Sequence, residues 1–164
     1  MLVLAILGSL GGLFHLYLTR GNAPAVERAS VTDRESISVF APNERDLLER
    51  QVIEVQRQLP AKLRGDALFR ALKDARCIPD RLRLHDLAMG QDGVLYLNVS
   101  KEFVDHNTPE KEVTMVYGLV NSFLESFRGA RSVQLLVEGE PVYTRSGLLY
   151  IFKPLEFNKD LLEE

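Results

Sequence analysis

The chain has a single cysteine, Cys77, in 164 residues, and no tryptophan. One thiol cannot close an internal disulfide or furnish a cysteine-based zinc site, so the fold must rest on its core. Neither charge sign is in excess, with Lys+Arg 20 against Asp+Glu 23 and a net charge of -3. That balance supplies no clustered cations to neutralise phosphates, and nucleic acid is not an expected partner. The patterns GxxxxGK[ST], GxGxxG and GxSxG are all missing, which removes the commonest phosphate-cradling and nucleophile-elbow chemistries. A composition that is 46% hydrophobic and 26% charged excludes collagen-like, coiled-coil and wholly disordered classes. What remains is one globular domain.

Histidine is scarce too, at three residues: His15, His85 and His106. His85-Asp86 and Asp105-His106 are the only neighbouring histidine–carboxylate pairs. On a strand His85 and Asp86 point to opposite faces, and Asp105-His106 sits where a loop and a helix start account for both. No spacing specifies a metal site or a cofactor, and none is expected. Cys77 has no cysteine–histidine family pattern around it and reads as a small buried residue. A catalytic acid, base or nucleophile is therefore not indicated, and the chain is not expected to be an enzyme.

Residues 1–18, MLVLAILGSLGGLFHLYL, carry no acidic or basic side chain other than His15. As a helix rising ~1.5 Å per residue the run spans roughly 27 Å, close to the thickness of a bilayer core. The flanks favour an uncleaved anchor over a signal peptide, because no basic residue precedes the run and no small-x-small site ends it. Gly8 and Gly12 have the spacing that permits close helix approach, and His15 falls near the interfacial end. Arg20, Arg28 and Arg34 follow, so charge bias alone leaves the orientation open.

The remainder divides by pattern. Residues 20–34 lack periodicity and read as a flexible linker. Residues 35–41 alternate and form a first strand ending at Pro42. Leu48, Val52, Val55 and Leu59 recur at three- and four-residue spacing behind Asn43, which predicts an amphipathic helix over 44–59. Arg45, Glu49, Arg50, Glu54 and Arg57 would form its solvated face. A second helix runs from about Leu63 to Arg76. Gly90-Gln91-Asp92-Gly93 joins two strands in a hairpin. Thr108-Pro109 starts a helix whose wide stripe holds Val116, Val120, Phe123 and Phe127, and Gly129 suits its end. The apolar run 133–137 reads as a central strand. Short strands at 142–144 and 148–152 follow, then a C-terminal tail over 156–164. The class is α+β, a small mixed or antiparallel sheet with helices packed on one face, behind an N-terminal membrane helix.

Asp92-Gly93 leads into Asn98-Val99-Ser100-Lys101-Glu102-Phe103. A helix with Tyr117-Gly118-Leu119-Val120-Asn121 comes next, then an apolar strand and Gly139-Glu140-Pro141. This ordered set resembles the GerM domain, the sporulation and spore-germination domain, over about residues 80–155, with a weaker match before it. The resemblance implies a fold similar to ring-building motifs over 35–155. It also implies a non-catalytic extracytoplasmic module of the bacterial cell envelope, held at the cell membrane by a single pass. The chain departs in lacking a lipobox cysteine, in carrying one copy, and in a fuller predicted helical region over 43–76.

The resemblance thus points to an interaction or scaffold domain that assists an envelope or spore-envelope complex, with envelope proteins or a second copy as partners. The alternative is a peptidoglycan- or small-ligand-binding module. Asn98, Ser100 and Asn121 carry either a ligand role or a plain structural one, bonding nearby backbone where elements end. Tyr143, Tyr150 and Phe152 on the last strands are the candidate partner-contact residues.

Overall fold

The computed structural model describes residues 33–104, 108–143 and 149–163. The expected membrane segment 1–18 and nearly all of the linker lie outside the described residues, as do His15, Asp105 and His106. Among the described residues no helix is long and apolar enough to cross a membrane.

The first element is a hairpin. Strand β1 (Arg34–Pro42) pairs antiparallel with β2 (Leu48–Gln56), from Arg34 opposite Gln56 to Pro42 opposite Leu48. This corrects the helix expected over 44–59. The Asn43 carboxamide accepts the backbone N–H groups of Arg45 at 2.9 Å and Leu47 at 3.1 Å, while the Asn43 N–H donates to the Leu47 carbonyl at 2.8 Å. With Asp46 at φ 57°, Asn43 starts a chain reversal and not a helix. The helical spacing is coincidental. Leu48 and Val55 are buried, but Val52, on the same supposed stripe, is 63% exposed. The β-branched cluster Val52, Ile53 and Val55 suits an extended chain, and pairing with β1 decides the outcome. The charges expected on a helix face instead line a strand and its turns.

Helix α1 (Ala61–Asp74) starts after Pro60 and buries Leu68, Phe69 and Leu72. Strands β3 (Leu84–Met89) and β4 (Val94–Val99) form the expected hairpin. At its turn Gly93 takes φ 81°, and the Asp92 carboxylate accepts the Val94 N–H at 3.2 Å. A single 3-10 turn, Lys101–Val104, buries Phe103. Helix α2 (Pro109–Ser126) then crosses back, so that β5 (Ser132–Val137) lies parallel to β4. The short β6 (Glu140–Pro141) pairs antiparallel with β5. The second sheet thus runs β3-β4-β5-β6, with β5 interior as its apolar run implies, and the domain has two sheets where one was expected.

The late strands also differ from expectation. The strand after the 138–139 turn is confined to Glu140–Pro141, Val142 and Tyr143 are irregular, and Thr144 lies outside the described residues. Of the strand expected over 148–152, the described residues are irregular at 149–150 and in a turn at 151–152. The reason lies at the edge of β5. Beyond β6 the edge of β5 is served by Leu155, which exchanges backbone bonds of 2.8 Å with Val133. The Gln134 amide donates to the Ile151 carbonyl at 3.1 Å, replacing a ladder bond with a side chain. Ile151 is fully buried beneath. Residues 156–163, expected as a tail, lie against the domain: Leu162 bridges to Leu48 in parallel, and Phe157 meets Phe40 edge-on at 5.4 Å.

The core is built on α2. Val116, Val120 and Phe123 are fully buried, and the Phe123 ring meets Phe69 edge-on at 5.9 Å and stacks on Phe127 at 5.5 Å. Phe123→Ala therefore removes a filled core position, and urea denaturation is expected to report a loss of about 3–5 kcal/mol. A loss below about 1 kcal/mol contradicts this packing.

Candidate functional site

Asn98, Ser100 and Asn121 are placed by the fold into bonds with their own chain. The Asn98 carboxamide oxygen accepts the Gly139 N–H at 2.7 Å, tying the end of β4 to the β5–β6 turn. The Ser100 hydroxyl accepts the Arg83 N–H at 3.0 Å and bonds to Glu102, whose carboxyl is held below its ordinary range chiefly by that hydroxyl. Glu138, at φ 50° in the same turn, bonds His85 at 3.2 Å and accepts the Lys101 N–H at 2.9 Å. Its carboxyl is lowered first by His85 and then by Lys101. So His85 faces Glu138, not Asp86, which accepts its neighbour's Leu87 N–H at 2.8 Å. The motif from Asn98 to Phe103 is a latch between two turns.

Asn121 is fully buried on α2. It donates to the Asn158 carbonyl at 2.8 Å and accepts the Asn158 N–H at 3.0 Å, holding the C-terminal segment as a backbone would. One helical turn earlier, Gly118 lets α2 approach closely. A Cβ there would fall 2.3 Å from the Cys77 sulfur and 3.0 Å from the Phe40 carbonyl. Cys77 is buried against this contact, and burial pushes its thiol up to about 12. A neutral thiol at pH 7 is no nucleophile.

Tyr143, Tyr150 and Phe152 come together, although none of the three is on a strand. They are 62%, 54% and 39% exposed. The rings of Tyr143 and Phe152 stack at 4.8 Å and 11°, and Tyr150 lies 6.0 Å from Tyr143 and 6.3 Å from Phe152. They form one outward-facing aromatic cluster. Sequence reasoning named its members from their position late in the chain, but it had no signal for their stacking.

Among the described residues no group of three metal-ligating side chains converges. An open hollow of about 830 Å³ is lined by Glu35, Ser38, Arg50, Arg64, Glu125 and Arg128 among others. Two of its arginines are paired within it, Arg50 with Glu125 at 2.8 Å and Arg64 with Glu35, and Arg57 and Arg128 complete its cationic lining. Helical misreading hid one feature altogether, the long outer edge of β2.

Burial of Cys77 has a direct consequence. Above pH 9 the unfolded thiol ionises while the folded one keeps its proton to about 12, so its contribution to stability falls as pH rises across that window. Iodoacetamide at pH 8 is expected to leave native Cys77 unmodified and to alkylate one site per chain in urea. Rapid labelling of the native protein contradicts this burial.

The fold has relatives. The tandem GerMN domains of the sporulation protein GerM from Bacillus subtilis match with a TM-score of 0.54 at 14% identity, over 85% of this chain and 51% of that one. The chain thus spans about half of the tandem pair. The first GerMN domain of that protein matches with a TM-score of 0.52 at 12% identity, over 77% of this chain and 98% of that one. A Clostridium perfringens protein described as a lipoprotein matches with a TM-score of 0.52 at 20% identity, over 79% of this chain and 91% of that one. No curated protein matches at the level of sequence. The model of the Germane family, described as sporulation and spore germination, matches residues 15–143. The ordered motif, the two-sheet fold and this match agree, and the chain belongs to the sporulation and spore germination family.

Proposed function

We propose that this is a non-catalytic interaction domain of the bacterial cell envelope, carried outside the cytoplasm on a membrane anchor at residues 1–18, where it assists an envelope or spore-envelope assembly. The observation that carries the reading is the aromatic cluster of Tyr143, Tyr150 and Phe152. Aromatic rings left exposed and already packed on one another lose little freedom on docking and offer large contact area, as the anchor residues of protein interfaces do. Membership of a sporulation and germination family supports the setting. The relative described as a lipoprotein supports a domain held at a membrane.

A peptidoglycan- or small-ligand-binding module is the rival. Its polar candidates weaken it, since Asn98, Ser100 and Asn121 already bond Gly139, Arg83 and Asn158. Turnover of a substrate has less support still. Cys77 is buried, and His85 bonds the surface carboxylate of Glu138.

Crosslinking in cells from a photoreactive residue at position 143 tests the interaction. Envelope proteins are expected as the crosslinked partners. Tyr150→Ser with Phe152→Ser is expected to lower that yield by roughly tenfold or more. Saturable binding of residues 21–164 to purified cell wall, with no protein crosslinked, overturns the reading in favour of the glycan one.

Topology has its own test. A reporter fused after Glu164 that is active only outside the cytoplasm is expected to be active. Activity of the cytoplasm-specific version alone refutes the proposed orientation.

A further inference from the structure

The two outer edges of the β1–β2 hairpin are treated differently. Arg57 donates its N–H to the Asp33 carbonyl at 2.9 Å, continuing the pairing in which Arg34 faces Gln56. The odd-numbered residues of β2 therefore bond to β1, and the even-numbered residues turn their backbone groups outward. Along the buried middle of β1, helix α2 supplies partners to two of the outward groups. The Phe40 N–H donates to the Ser122 hydroxyl at 2.8 Å, and the Ser126 hydroxyl donates to the Ser38 carbonyl at 3.4 Å. Along β2 only the ends are covered. Leu48 bonds Leu161 at 2.7 Å and Glu163 at 3.0 Å, and the Gln56 carbonyl accepts the Leu59 N–H at 3.3 Å. Arg50, Val52 and Glu54 present outward N–H and C=O groups that no described residue bonds. An uncovered edge is a template for another strand.

We propose that this edge pairs with the same edge of a second copy of the chain, antiparallel about a two-fold axis at Val52. The charge pattern selects this occupant and this register. With Val52 facing its own copy, Arg50 of each chain lies opposite Glu54 of the other, twice over by symmetry. In-register parallel pairing would set Arg50 beside Arg50 and Glu54 beside Glu54. A shift by two residues would put Val52 opposite a charged or polar residue. The three facing pairs exchange both backbone bonds each, and the hairpins join into one four-stranded sheet. Val52, 63% exposed in the single chain, is covered. Glu54 is held within the chain by one exposed ion pair, with Arg34 at 3.4 Å. Arg50 pairs with Glu125 at 2.8 Å and donates its Nε–H to the Ser38 hydroxyl at 2.8 Å, bonds that it exchanges for the facing carboxylate on pairing. Leu161–Glu163 already occupies Leu48, so the pairing stops at residues 50 and 54.

The interaction is independent of the aromatic cluster. Tyr150→Ser with Phe152→Ser leaves this dimer intact, and the variants below leave crosslinks from position 143 intact, so either proposal can fail alone. The test uses the full chain in mild detergent, followed by analytical ultracentrifugation. Wild type is expected to move from monomer to dimer with concentration. R50E or E54R sets like charges across the axis and weakens the dimer by about tenfold or more, and R50E/E54R together restore it. Thermal melts establish that each variant is folded. V52C reads the register directly, since facing residues of such a pair lie about 5.5 Å apart between Cα atoms, within disulfide reach. Mild oxidation gives a covalent dimer for V52C and none for Q56C, whose facing position is the occupied Leu48. Should a charge variant fail to fold, V52C and Q56C decide. A chain that stays monomeric and uncrosslinked overturns the proposal. So does a dimer indifferent to charge reversal, as one held through the apolar N-terminal segment would be. Capture of a strand from a different protein overturns it as well.

Discussion

The fold depends on how the backbone along the outer edge of β1 is satisfied away from water. Every residue from Ile37 to Ala41 is buried, so its peptide groups cannot be left to solvent. Helix α2 solves this by lying along the edge instead of over the face of the sheet. Gly118 removes the side chain that would hold the helix off, and Ser122 and Ser126 reach the Phe40 N–H and the Ser38 carbonyl. Ser122 also donates to the Gly118 carbonyl at 2.6 Å, so its one proton is engaged within the helix and its oxygen is turned to the strand. A helix thereby acts as the third strand of a two-stranded sheet. The adjoining stripe of α2 is left for the core, where Phe123 meets Phe69 of α1.

Much of this was legible in the sequence, and the failures have one physical root. Elements specified by their own residues read correctly. The Gly90–Gly93 turn, the start of α2 at Pro109 and the interior position of β5 each follow from a local signal. Elements specified by a distant partner did not. Leu48, Val52, Val55 and Leu59 fit a helix, and only pairing with β1 makes them a strand. Residues 149–152 have a strand's composition, yet the Gln134 amide and Leu155 serve the edge they were expected to occupy. Local periodicity reports which residues want burial. It does not report whether the backbone will find its bonds in itself or elsewhere.

The same division governs the site residues. Asn98, Ser100 and Asn121 stood out because polar groups at element ends invite a functional reading. Each bonds backbone of its own chain, at Gly139, Arg83 and Asn158, as the structural reading of these residues expects. A motif of this kind marks a fold more than a ligand, because it fixes where turns and the C-terminal segment sit. Chemistry that remains free must be sought among groups the fold does not consume. Among the described residues these include exposed rings and an uncovered strand edge, and neither leaves a motif behind.

The hairpin's two edges are protected by different means. Covering an edge is costly in sequence terms: β1 needs a glycine and two serines at correct spacing on α2. Charges are the simpler protection, and Arg50 and Glu54 on β2 are of the type that blunts edges. Protection by charge works against neutral strands and fails against a strand of reciprocal pattern. An antiparallel copy of β2 is that strand, because the sequence Arg50-Gln51-Val52-Ile53-Glu54 reads as opposite charges about an apolar centre. The residues that repel a general partner therefore admit this one, so selectivity and assembly come from the same two side chains.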